Sequence, residues 1–263
     1  MSPAVANAAP PCEAPVNLLR FNAPLPGLSS ALTSSKPIRI VALGSSSTQG
    51  IGASSPKACY PSRLQAELRK RYPDKEIIVD NLGVGGQLAT DMIPRIKKDV
   101  LPLHPNVVIW QTGVNDAMRQ VDVDKFRQTI MLGIDQLQQA GIDVVLLDMQ
   151  YFPRADTIAA FPRYLTALRQ IAEARKVPIL QRFAIMKYLV TSAQYTPQQL
   201  LAPDLFHPND FTYGCLGRFL ADALQDEVGR SKAVKLAPVP ARAKEAGAVA
   251  AIRCVSRPRI EPI

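Results

Sequence analysis

Three features of the sequence predict a three-layer α/β/α sandwich built on a five-stranded parallel sheet. Five short apolar runs recur along the chain, helical periodicity fills the gaps between them, and turn residues cluster where the runs end. Strands that are apolar along their whole length are covered on both faces, and alternation with amphipathic helices points to parallel crossovers.

The elements follow in order. Residues 1–36 are rich in Pro, Ala and Ser, show no period, and read as an irregular arm. The first strand runs from Ile38 to Leu43 (IRIVAL) and stops at Gly44. Similar runs follow at Glu76–Asp80, Asn106–Gln111, Asp143–Asp148 and Val177–Leu180. Between them, Tyr60–Tyr72, Val123–Ala140 and Phe161–Arg175 carry apolar residues three and four apart, as helices with one buried face do. A last helix is expected from Phe211 to about Val228. The catalytic-size unit is therefore 37–228, followed by an Ala/Pro-rich basic extension over 229–263.

Composition narrows the function classes. At 47% hydrophobic and 20% charged residues the chain is of globular type, and no apolar run approaches the roughly 20 residues that cross a bilayer. The net charge of +9 resembles a nucleic-acid signal until it is located. Eight Lys/Arg against two Asp/Glu follow Gly229, so the excess sits in the terminal extension. With no basic patch interleaved with aromatics, nucleic acid is not the expected partner. The four cysteines, Cys12, Cys59, Cys215 and Cys254, lack metal-ligand spacing, so neither metal nor other cofactor is expected. They read either as a Cys12–Cys254 disulfide pinning both termini or as four reduced thiols. The Ala-rich start (SPAVANAAPP) is similar to the sequence around a signal cleavage site, which favours a periplasmic or secreted protein over a cytoplasmic one.

Active sites of open α/β sheets form at the carboxyl ends of the strands. Four segments fall there: Gly44-Ser45-Ser46-Ser47 after strand one, Asn81-Leu82-Gly83-Val84-Gly85-Gly86 after strand two, Thr112-Gly113-Val114-Asn115-Asp116 after strand three, and Asp204-Leu205-Phe206-His207 near the end. Singly, each has a plain structural reading as a helix cap or tight turn. Together, in the order Ser, Gly, Asn, His, they resemble the SGNH (GDSL-type) hydrolase family over about Pro37 to Leu224. The resemblance implies a flavodoxin-like sandwich and hydrolysis of esters or thioesters, often on carbohydrates or lipids.

Chemistry assigns roles beside that resemblance. A serine hydroxyl needs a base, and the chain offers only His104 and His207. His104 precedes strand three at the amino edge, which leaves His207 as the base for Ser46. Asp204 can fold back to hold the imidazole; its rival Asp210 suits a helix N-cap better. The N–H of Ser46, the N–H of Gly86 and the Asn115 side-chain amide are candidate oxyanion donors, Gly86 being the glycine that the resemblance selects. One departure stands out: Ser45 and Ser47 replace the aspartate and leucine of Gly-Asp-Ser-Leu, so both serines need exclusion by experiment. The expected activity is hydrolysis of a short-acyl ester, such as an O-acetyl group on a carbohydrate, through acyl-Ser46. The alternatives are an O-acyltransferase on the same residues and a non-catalytic carbohydrate-binding module.

Overall fold

The computed structural model describes residues 12–236. Its elements are α1 (Val16–Leu19), α2 (Pro26–Ala31), β1 (Ile38–Gly44), α3 (Ser46–Gln49), α4 (Tyr60–Arg71), β2 (Ile77–Gly83), α5 (Ala89–Arg95), β3 (Val107–Gln111) and α6 (Val114–Met118). There follow α7 (Val123–Gln139), β4 (Asp143–Leu147), α8 (Phe161–Arg175), β5 (Ile179–Leu180), α9 (Arg182–Thr191), α10 (Pro197–Leu200) and α11 (Asp210–Leu236).

The five strands form one parallel sheet in the order β2-β1-β3-β4-β5. Chain direction across the sheet reverses at β1, so a crevice opens between the carboxyl ends of β1 and β3. Every residue of β3 is buried and β1 nearly so, as strands packed on both faces require. α2 and α4 pack with α11 in one helical layer, while α5, α7 and α8 pack together in the other. This is the expected α/β/α sandwich.

Three expectations are corrected. The arm read as irregular holds α1 and α2, and buries Phe21, Leu25 and Leu28 in the main core. Their spacing was masked by prolines, which here start helices at positions needing no N–H donor. The last helix continues past Val228 to Leu236, because its final turns carry no Pro and Gly229 alone does not end it. Cys12 bonds to Cys215 in α11, not to Cys254, which lies outside the described residues; Cys59 is a buried free thiol. The bridge ties the segment before α1 to the helix that α1 packs upon.

Candidate active site

The site is built from the ends of three strands and one turn. Gly44 ends β1 because a side chain there would collide with Thr48 and Gln111. The chain then enters α3 directly, with Ser46 as its first residue. Gln111, the last residue of β3, fixes this entry: its Oε1 accepts from Ser45 N (2.9 Å), Ser45 Oγ (3.1 Å) and Thr48 Oγ1 (3.0 Å). The hydroxyls of Thr48 and Tyr60 lie 3.2 Å apart behind it.

The three serines are thereby told apart. Ser45 faces Gln111. Ser47 is fully buried and its Oγ accepts from Arg182 Nη1 at 3.0 Å. Ser46 Oγ lies 2.9 Å from His207 Nε2.

His207 is held by a turn closed on Asp204. Asp204 Oδ1 accepts the N–H groups of Phe206 and His207 at 2.9 Å each, and Oδ2 lies 2.6 Å from His207 Nδ1. Burial alone would raise the Asp204 carboxyl, but these hydrogen bonds outweigh it and hold it below the usual carboxylate range. Leu205 adopts φ 51° to make the turn, a conformation that L residues take at a cost. Phe206 stacks edge-on against His207 and Phe152 at centroid distances of 4.8 and 4.7 Å. Tyr151 and Phe152 are thus packing residues, and Tyr151 donates to Asp156.

Asp210 does not cap α11. It accepts two hydrogen bonds from Ser54, and the cap is Asn209, whose Oδ1 accepts from Thr212 N at 3.1 Å. The Ser54 bonds, with that of Tyr213 Oη to Ile51 O (2.6 Å), clip the serine-bearing segment to the histidine-bearing one.

The loop after β2 completes the site. Gly85 donates to Gln49 Oε1 at 2.8 Å, and a Cβ built at Gly85 would sit 3.9 Å from that of Ser46. Gly86 has φ 76°, and its N–H makes no hydrogen bond among the described residues. Asn115 spends one amide hydrogen on Gln87 O (2.8 Å), which fixes the side chain and leaves the other hydrogen available. His104, exposed before β3, stands at the opposite edge of the sheet. Among the described residues no cluster of His, Cys, Asp and Glu could hold a metal, and no helix is long and apolar enough to cross a membrane.

Residues that sequence reasoning passed over carry much of this geometry. Gln111 closes an otherwise apolar strand, a visible signal. Arg182 gives none, for an arginine after a short strand is ordinarily solvated. Here it is 2% exposed and also donates to Asp148 O (2.9 Å) and Gln150 Oε1 (3.1 Å). The arrangement as a whole can draw a proton from Ser46 and place hydrogen-bond donors beside it.

Solved structures share this fold. A two-domain esterase active on acetylated mannans superposes with a TM-score of 0.68 at 21% identity, covering 80% of this chain and 56% of that one. An acetyl xylan esterase, AlAXEase, gives 0.58 at 24% identity, covering 72% and 98%. A lipase/acylhydrolase from Enterococcus faecalis gives 0.57 at 21%, covering 73% and 96%. The chain is also 28% identical over 115 residues to the uncharacterized lipoprotein YqeF of Bacillus subtilis (strain 168), covering 41% of this chain. It spans 46% of that relative and little more than half of the two-domain esterase. The Non-GDSL lipase-like family matches residues 11–230, from the start of the described structure to the late turns of α11, and the chain belongs to that family.

Proposed function

We propose that the protein is a serine ester hydrolase that removes short acyl groups, with O-acetyl groups on carbohydrate as the substrate class. The observation that carries this reading is the unbroken line Asp204 Oδ2–His207 Nδ1 (2.6 Å), His207 Nε2–Ser46 Oγ (2.9 Å). The activities of the mannan and xylan esterases with this fold support the substrate class.

In this mechanism Ser46 Oγ bonds to the ester carbonyl carbon while its proton passes to His207 Nε2. The carbonyl electrons move onto oxygen, where Ser46 N–H, Gly86 N–H and the Asn115 amide donate hydrogen bonds. Asp204, ionised because its carboxyl is held low, stabilises the imidazolium. As the tetrahedral carbon collapses, its bond to the alcohol oxygen breaks and the imidazolium gives that oxygen its proton. Water then repeats the cycle on acyl-Ser46, yielding carboxylate and free serine. The Cys12–Cys215 bridge favours an oxidising compartment, which supports an exported protein.

Release of p-nitrophenol from its acetate tests the reading. Ser46→Ala is expected to lower kcat/KM at least about a hundredfold while remaining folded. An unchanged rate would overturn it.

A further inference from the structure

A groove of about 470 Å³ lies between the end of α6 and the turn Pro153–Thr157. Met118, Gln120, Arg154, Thr157 and Ile158 line it, and no acidic residue does. α6 also carries Asn115, so groove and acyl site share one short helix. Arg119 follows directly, in a turn fixed by hydrogen bonds from its own N–H to Asn115 O and from Val121 N to Asp116 O. A Cβ built at Gly86 would lie 3.6 Å from Arg119 Nη2, so the guanidinium overhangs the loop that borders Ser46.

Arg119 and Arg154 are both exposed, and neither forms an ion pair among the described residues. The nearby acids are already committed. Asp116 accepts from Ala89 N, Asp122 caps α7, and Asp156 is held by Tyr151 and Lys187. A cation at a helix C-terminus is favourable in itself, which gives Arg119 a structural role, but that does not account for Arg154, which lines the groove.

We propose that this groove is the leaving-group subsite and that Arg119 and Arg154 recognise a fixed anionic group on the alcohol part of the ester, such as the carboxylate of an acidic sugar. The proposal rests on the esterase reading and narrows its substrate. Planar guanidinium groups match carboxylate geometry with paired donors, and Arg154 in the groove wall, with Arg119 between the lining residues Met118 and Gln120, selects for charge.

The test uses two acetyl esters of equal size, 4-acetoxybenzoate and 4-acetoxybenzamide, each rate normalised to its hydroxide-catalysed hydrolysis. The readout is the ratio of their kcat/KM values. The wild type is expected to favour the anionic ester about tenfold at low salt, as two partly exposed ion pairs together allow. The ratio should fall toward one near 1 M salt and in the Arg119→Gln/Arg154→Gln double variant. A wild-type ratio of one, or a preference that survives both substitutions, overturns the proposal. Turnover of neither ester would strike the esterase reading instead. The groove is then judged by calorimetric binding of the same two esters to folded Ser46→Ala, where an equal affinity overturns it and an anionic preference supports it.

Discussion

Gly52 lies against the back of His207: a Cβ built there would sit 3.0 Å from His207 Cβ and 2.5 Å from Pro208 O. Its φ of 90° adds a backbone reason for glycine. Gly52→Ala is therefore expected to push the imidazole off Ser46, lowering kcat about ten- to a hundredfold with KM little changed. Stability should drop by about 1–3 kcal/mol. Gly214→Ala, where an added Cβ meets nothing within 4 Å, is the control and should leave kcat alone. Steady-state kinetics with urea unfolding checks both.

Ser47 and Ser46 should separate cleanly. Ser47→Ala deprives Arg182 of one acceptor and is expected to cost about 1–2 kcal/mol while ester turnover persists. Arg182→Met strands Ser47 Oγ, Asp148 O and Gln150 Oε1 together and should cost about 3 kcal/mol or more. Denaturant midpoints and initial rates on the same preparations decide the matter.

Asp148 gives stability a pH slope. Burial pushes its carboxyl up to about 7, against a hydrogen bond from Phe183 N–H and the charge of Arg182. The folded state thus holds a proton that the unfolded chain releases near pH 4, so stability falls as pH climbs from about 4 to 7 and then levels. Asp148→Asn should flatten that decline by about 1–3 kcal/mol between pH 5 and 8. Part of the slope should remain, because burial also raises Asp116, to about 6. Urea midpoints at the two pH values measure it, and an equal decline in both proteins would refute the assignment.

The Cys12–Cys215 bridge predicts a specific crosslinked peptide under non-reducing digestion. Replacing both residues by serine should cost about 2–5 kcal/mol, since the link closes a loop spanning most of the fold. Mass spectrometry finding Cys12 joined to Cys254 would refute the pairing.

Much of the site was readable because its residues obey local rules. β1 ends at a glycine, Asp204 and His207 sit three apart, and the chain has few histidines to choose among. The sheet was readable for the same reason, with Phe161–Arg175 matching α8 and the other strand and helix boundaries, apart from the end of α11, shifting by a residue or a few. What escaped depends on contacts between distant segments. Asp210 looked like a cap until Ser54, 156 residues away, was seen to occupy it. Cys12 met Cys215 because α1 packs on α11, a fact of tertiary packing. Arg182 was invisible for the same cause, since only the fold decides whether an arginine is solvated.

The platform beneath Ser46 is tied by an amide, two alcohols and a phenol: Gln111, Ser45, Thr48 and Tyr60. Burial raises the Tyr60 phenol further above its ordinary range, so none of the four changes charge between mild acid and mild alkali. Acid strong enough to protonate the Asp204 carboxylate should therefore silence turnover while leaving the serine's cradle in shape, and activity should return at once on neutralisation without any refolding delay.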